Sequence, residues 1–406
     1  MSRIRRTDYA FFHLQNQLDL RALFGGAAAG SAMPQILAIS LLTGQRHALS
    51  RRELGVLLSI PSDRWLPAHG VEPPELVRDL VEMGLVLSDE ADARLSTLRE
   101  RDAALSGNEW NLYAALYHFM TKWSGFDIRA AGEAELAFGP ASRAVAEAFV
   151  AEHGPPPAPF HPRSFGPAQP LPRVERDGDL FRALADRRTT RAFDPATPMS
   201  AEDLSTVLHY VFGCHGYART LADVLCIKRT SPSGGGLHPI EAYPVVSNVG
   251  GVRSGIYHYD VRGHALELIG ELDPNEARRT ASSFMCGQSY LGEAHVSFVL
   301  TARFYRNHWK YRRHGKAYAG ILMDAAHLSQ TLYLVSASLG LGAFVTLAIN
   351  SWDIEERLGL DGYAEGVIAV TGCGPRAPGE SPRELHFAPA AAQPPAPRII
   401  PPRGSA

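Results

Sequence analysis

Three short segments of this sequence carry the residue types that could do chemistry. The first is Arg187-Arg188-Thr189-Thr190-Arg191, directly after a helix expected over 180–186. Three guanidiniums and two hydroxyls within five residues can surround a phosphate, since arginine offers a rigid fork of donors and threonine adds short hydrogen bonds. Basic side chains at a helix C-terminus also complement the helix dipole, so the same residues have a purely structural use. The second segment, 230–239, reads TSPSGGGLHP and contains Pro232, Ser233, Gly234 and Gly235. Consecutive glycines let the backbone approach a flat ligand and aim amides at its heteroatoms; a tight surface turn is the alternative. The third is Lys310-Tyr311, with Asp324, His327 and Gln330 on the helix expected to follow. Lysine and tyrosine act as general acids or bases once burial and neighbours tune them. Arg303, Arg306, Arg312, Arg313 and Lys316 crowd the same stretch and equally suit a solvated basic face. Asp324 and His327 stand one turn apart and could pair with each other.

These segments need a scaffold, and the pattern after residue 173 supplies one. Ser200 and Asp203 cap a helix whose Leu204, Val207, Leu208, Val211 and Phe212 follow the 3.6-residue period. A helix over 317–339 places Ile321, Ala325, Leu328, Leu332, Val335 and Leu339 on one stripe and should run through the core. Strands are expected at 242–247, 254–259, 264–269, 296–302 and 366–371. Strands interleaved with long buried helices predict an α+β sandwich.

The first part of the chain reads differently. An apolar run at 36–42 ends in a Thr43-Gly44 turn, and Ser50 with Glu53 forms a capping box opening a helix at Arg51. A second helix, a strand-like 85–87 and a polar turn at 88–90 complete a winged-helix-like module. Glu72, Glu75, Asp79 and Glu82 occupy its second helix and would repel phosphates, which argues against DNA binding. Residues 110–123 concentrate aromatic side chains on one helix, either as core and interface or as a substrate contact.

A chain of 406 residues exceeds the size at which one core stops growing. Two proline-rich stretches, 153–173 and 375–402, divide it as linker and tail, giving segments 1–152, 153–173, 174–376 and 377–406. A formal charge of -2 gives no electrostatic reason for nucleic-acid or anionic-membrane partners. Cys214, Cys226, Cys286 and Cys373 are scattered without metal-site spacing, so no metal is expected. Neither a signal peptide nor a membrane-length apolar run is evident, and a cytoplasmic protein is the expectation.

Together and in this order, the three segments resemble the FMN-dependent nitroreductase superfamily, in particular its SagB-type branch of peptide-modifying dehydrogenases, over about 172–376. The resemblance implies that Arg187, Arg188, Thr189 and Arg191 hold the FMN phosphate and ribityl chain, and that Pro232, Ser233, Gly234 and Gly235 lie against the isoalloxazine. A further phosphate contact could fall on Arg376 or Arg383. Azoline oxidases of that branch carry a Lys-Tyr pair ahead of Gly-His-x-x-Gln-Asn-Leu; here Lys310-Tyr311 precedes Ala326-His327-Leu328-Ser329-Gln330-Thr331-Leu332, which implies Gln330 as a further cofactor contact. Tyr117-His118 with Thr121-Lys122 also looks like the N-terminal part of such dehydrogenases. Two departures alter the expected pocket wall: Ala326 replaces a glycine, and Val345-Thr346-Leu347-Ala348 stands where relatives have a Gly-Gly segment.

By this resemblance the chain is expected to be an FMN-dependent oxidoreductase acting on a ribosomally made peptide, with Lys310 or Tyr311 taking a ring proton. A leader segment and other maturation enzymes are implied partners, and a two-fold homodimer the implied assembly. Two alternatives stand beside it: an NAD(P)H-dependent reductase of dehydrated residues or small molecules, and a non-catalytic flavin-binding partner.

Overall fold

A computed structural model describes residues 2–15, 35–128, 176–220 and 223–379, with scattered residues between 147 and 174 and residues 381 and 384. The proline-rich linker, and the tail past residue 379, lie almost entirely outside the described residues.

Near the N-terminus, β1 (Arg3–Arg6) is followed by a three-stranded antiparallel sheet of β2 (Ala10–Gln15), β3 (Gln35–Ser40) and β4 (Arg46–Leu49). Helix α1 (Arg51–Ser59) opens with both halves of the Ser50/Glu53 capping box in place. After β5 (Leu66–Pro67), helix α2 (Pro74–Glu82) buries Val77 and Leu80 and exposes its acidic face. Strand β6 (Val86–Ser88) pairs with β1, whose other neighbour is β5. Ile4, Leu57, Ile60, Leu80 and Val86 form the core of this module. The turn at 88–90 does not return as a second wing strand. Asp92 accepts the Leu95 amide and starts α3 (Ala93–Gly107), so the chain leaves as a helix.

Helix α3 and the aromatic α4 (Leu112–Met120) carry the chain into a second and larger core. Trp110 is 1% exposed and donates its indole N–H to the Tyr363 carbonyl at 2.9 Å. Phe119 is buried beside it, whereas Tyr113 and Tyr117 point to solvent. The aromatic stretch is therefore mainly core.

Two helices, α5 (Asp179–Asp186) and α6 (Ala201–Val207), follow, the latter continuing as a π turn over Leu208–Phe212. A hairpin of β7 (Gly216–Arg219) and β8 (Leu225–Lys228) precedes the main sheet. That sheet contains β9 (Ile240–Val246), β10 (Gly255–Asp260), β11 (Ala265–Glu271), β12 (Val296–Arg303), β13 (Gly342–Thr346) and β14 (Glu365–Gly374), in the order β11-β10-β9-β12-β14-β13, antiparallel throughout. Val245, Val299 and Val370 face α7 (Pro274–Phe284) and α11 (Ser351–Leu358), while Phe298, Leu300 and Ala369 face α10 (Lys316–Ser338). Short α8 (Ser289–Gly292) and α9 (Phe304–Tyr311) bracket β12.

All five expected strands and the long helix are present within a few residues of their expected ends. Strand β13 was not expected. Gly340 just before it and Gly342 at its start interrupt the apolar pattern, and the segment becomes a strand by pairing with β14. Among the described residues no helix is long and apolar enough to cross a membrane, and no His/Cys/Asp/Glu cluster could hold a metal.

Candidate active site

The sequence stripe that makes α10 a core helix also fixes what its other face can reach. Asp324 is only 5% exposed. A buried carboxylate must be satisfied by donors, and here it accepts the Ser233 hydroxyl at 2.5 Å and the Gly234 amide at 3.0 Å. Ser233 Oγ in turn accepts the His238 amide at 2.8 Å. One turn along, His327 Nδ1 meets the Pro232 carbonyl at 3.3 Å, and Thr331 Oγ1 meets Ser231 Oγ at 2.6 Å. The glycine loop is thus laid along α10. The Asp324–His327 hydrogen bond that their spacing allows does not form, because Asp324 is taken by the Ser233 hydroxyl and Gly234 amide and His327 by the Pro232 carbonyl. Burial raises the Asp324 carboxyl above its ordinary range, against the pull of the two donors.

Across the loop stands the Lys-Tyr pair. Gly235 has φ +65, and a Cβ there would come within 2.7 Å of Lys310 Nζ and 2.8 Å of the Tyr311 hydroxyl. Only a residue without a side chain lets these groups meet the loop. Lys310 Nζ lies 5.7 Å from the Tyr311 ring centre. Immediately after the pair, Arg312 adopts φ 50, a left-handed conformation that costs a non-glycine residue about 1–3 kcal/mol. The N-terminal part of the chain holds this segment in place. Glu109 lies 3.7 Å from Arg312 and 3.1 Å from Arg313, Asn111 donates to the Arg313 carbonyl at 2.9 Å, and His308 meets the Asn108 carbonyl at 2.9 Å.

The arginine segment sits further along α10. Thr189 Oγ1 bonds the Tyr333 hydroxyl at 3.0 Å, and Arg187 lies 5.4 Å over the Tyr333 ring. The Thr190 amide ties to the Ala343 carbonyl of β13 at 2.8 Å. Arg376 reaches the same place through a bridge between its own residue and Phe193. Burial, with Arg188 close by, lowers the Arg376 pKa. Glu384 accepts the Arg191 amide at 2.8 Å and lies 3.7 Å from Arg188. Arg383 lies outside the described residues.

Could these residues hold a phosphate-bearing flat cofactor? Arg376 Nε and Thr190 Oγ1 are buried with no hydrogen-bond partner among the described residues, beside a concentration of guanidiniums. Buried unpaired donors at a cationic corner fit an anionic phosphate. From Asp324 to Tyr333 the helix rises about 14 Å, so glycine loop and arginine segment stand apart as a ring and a phosphate joined by a short polyol would require. The donor set fits such a group. Gln330 is on the same helix and exposed.

Sequence reasoning assigned no site role to Tyr333 or Glu384, and did not place Arg376. The place of Arg376 beside the arginine segment could not be read from its local sequence, because its neighbourhood is created by the pairing of chain segments far apart in sequence.

The nitroreductase family model matches residues 184–374. The chain is 27% identical over 173 residues to the trifolitoxin-processing protein TfxB of Rhizobium leguminosarum, covering 42% of this chain and 46% of TfxB. It is 29% identical over 140 residues to the microcin B17-processing protein McbC of Escherichia coli, covering 33% of this chain and 50% of McbC. The matched stretches therefore span about half the length of either processing protein. A protein of Methanocaldococcus jannaschii described by name as a nitroreductase, MJ1384, is 30% identical over 193 residues, which cover 48% of this chain and 90% of that protein. With nearly all of MJ1384 accounted for, and with the sheet, the long helix and the three sequence segments gathered on one scaffold, the chain belongs to the nitroreductase family.

Proposed function

We propose that this chain is an FMN-dependent oxidoreductase that dehydrogenates a peptide, at a peptide-derived ring or residue, during maturation of a ribosomal product. The observation that carries the reading is the contact of Lys310 and Tyr311 with Gly235, which sets two proton-handling groups on the loop suited to a flat cofactor. The processing roles in the names of TfxB and McbC support a peptide as substrate.

Arg187, Arg188, Thr189, Arg191 and Arg376 would hold the phosphate end, with Tyr333 supporting Thr189 and Arg187. Pro232, Ser233, Gly234 and Gly235 would face the ring, their backbone fixed from behind by Asp324. When bound, FMN supplies the two-electron acceptor. A dehydrogenation removes one hydrogen as hydride and the other as a proton, and Lys310 or Tyr311 is positioned to take the proton. Glu109 and Asn111 keep the pair's segment in register, so the N-terminal part of the chain acts on the site by orientation.

The test is turnover of the natural peptide, or of a synthetic thiazoline peptide, followed by mass spectrometry for loss of two hydrogens. Lys310→Ala and Tyr311→Phe should keep FMN and lose turnover. Full turnover in both would overturn the assignment. Rapid anaerobic bleaching by NAD(P)H with no peptide oxidation would favour a reductase.

A further inference from the structure

Behind the Lys-Tyr helix lies a cavity of about 560 Å³ that the proposed chemistry does not use. It is walled by Leu225 of the β7–β8 hairpin, Leu237 at the end of the glycine loop, and Tyr305, Arg306 and Trp309 of α9. Tyr305 and Trp309 are one helical turn apart and 42% and 43% exposed, and Leu225 is 42% exposed, so three large apolar surfaces face the opening together. Arg306 and Lys310 are also one turn apart, which puts the cavity along the flank of the helix that ends in the proton-handling pair.

The charges of this groove are unevenly matched. Arg303 is paired with Glu241 at 2.6 Å, and the Glu365 carboxylate already accepts the Tyr243 and Thr301 hydroxyls at 2.9 and 2.5 Å. Arg306 donates Nε to the Leu237 carbonyl at 2.5 Å and makes no ion pair among the described residues. A half-buried guanidinium in a groove lined by aromatic side chains, with no ion pair among the described residues, can still take a carboxylate. With Arg303 already paired and Glu365 in the wall, the groove does not suit a polyphosphate chain, and its volume suits one or two side chains.

We infer that this groove holds the substrate peptide beside the modified residue by taking an aspartate or glutamate side chain onto Arg306 and an adjacent large apolar side chain between Tyr305, Trp309 and Leu225. The inference rests on the reading of the chain as a peptide-modifying enzyme and names the peptide chemistry that this enzyme selects.

The experiment uses the full chain and two fluorescein-labelled, C-terminally amidated hexapeptides, Gly-Leu-Asp-Phe-Gly-Gly and its Asn counterpart, with binding read by fluorescence anisotropy. The aspartate peptide should bind about tenfold more tightly than the asparagine peptide, as expected for one charge-assisted contact. Arg306→Gln should abolish the difference and Arg306→Lys should keep part of it. Because Arg306 also tethers Leu237, a second variant on the exposed hairpin, Leu225→Glu, provides a check that leaves that tether intact; its carboxylate should compete for Arg306 and likewise remove the preference. Equal binding of the two peptides, no binding of either, or a preference that survives both Arg306→Gln and Leu225→Glu would overturn the inference. Flavin absorbance of the same samples reads the proposed function separately: a chain that takes no flavin yet prefers the aspartate peptide sinks that reading and keeps the groove, and the converse result does the opposite.

Discussion

Asp324 on the long core helix accepts the amide of Gly234 at 3.0 Å, so the depth of the glycine loop is set by a buried carboxylate ninety residues further along the chain. The same carboxylate takes the Ser233 hydroxyl at 2.5 Å. Asp324→Ala removes both anchors, a loss of about 1–3 kcal/mol for unsatisfied buried donors, and should weaken FMN binding about tenfold or more. Asp324→Asn keeps an acceptor for the amide and should lose much less. Quenching of flavin fluorescence on titration reads both.

Gly235 is where loop and Lys-Tyr pair touch. In Gly235→Ala the new methyl would sit 2.7 Å from Lys310 Nζ on a backbone at φ +65, so either the pair or the loop must shift. A displacement of about 1 Å at reacting groups can cost about 100-fold in rate. The expected result is a fall in kcat of that order, with FMN affinity changed far less. Unchanged kcat would mean that the contact has no part in turnover.

Two histidines give the fold opposite pH limbs. Burial, Arg229 and Arg306 push His238 down to about 4, so its neutral ring contributes stability in full above the ordinary 6.5 and loses it as the pH falls toward 4. Glu241 and Glu267 flank His258 and raise it to about 9, so its contribution is complete below 6.5 and is lost as the pH rises through 9. Thermal unfolding of His258→Gln should show a flatter alkaline limb, and that of His238→Gln a flatter acid limb.

Lys122 and Glu355 form an ion pair with both side chains 2% exposed, and Lys122 Nζ stands 3.8 Å from the Trp352 ring centre. The pair joins the segment after α4 to α11, hence the N-terminal part of the chain to the sheet domain. Lys122→Ala leaves a buried carboxylate without its cation and should cost about 3–5 kcal/mol in urea unfolding. Replacing both partners with apolar residues of similar volume should recover much of that.

What the sequence made legible follows physical period and local chemistry. The stripe from Ile321 to Leu332 announced α10, and Ser50 with Glu53 announced α1, because helix burial and capping are written within a few residues. The candidate site was legible as three segments but not as an arrangement. Nothing local says that Asp324 turns to Gly234 and not to His327, that Tyr333 supports Thr189, or that Arg376 comes beside Arg188. Those relations are made by strand pairing and helix packing across long stretches of chain. Strand β1 went unread for the same reason: Arg3–Arg6 is a strand only because β5 and β6 pair with it.

FMN held between the arginine segment and the glycine loop, as proposed, should stay with the protein through purification. The most direct measurement is the absorption spectrum of the purified chain after incubation with excess FMN and gel filtration, alongside Arg188→Ala and Arg376→Ala. The two flavin bands should travel with the protein at about one FMN per chain, with occupancy sharply lower in both variants, each of which would lose a proposed charge-assisted phosphate contact. A colourless protein after reconstitution would contradict the proposal, as would flavin bound equally well by both arginine variants.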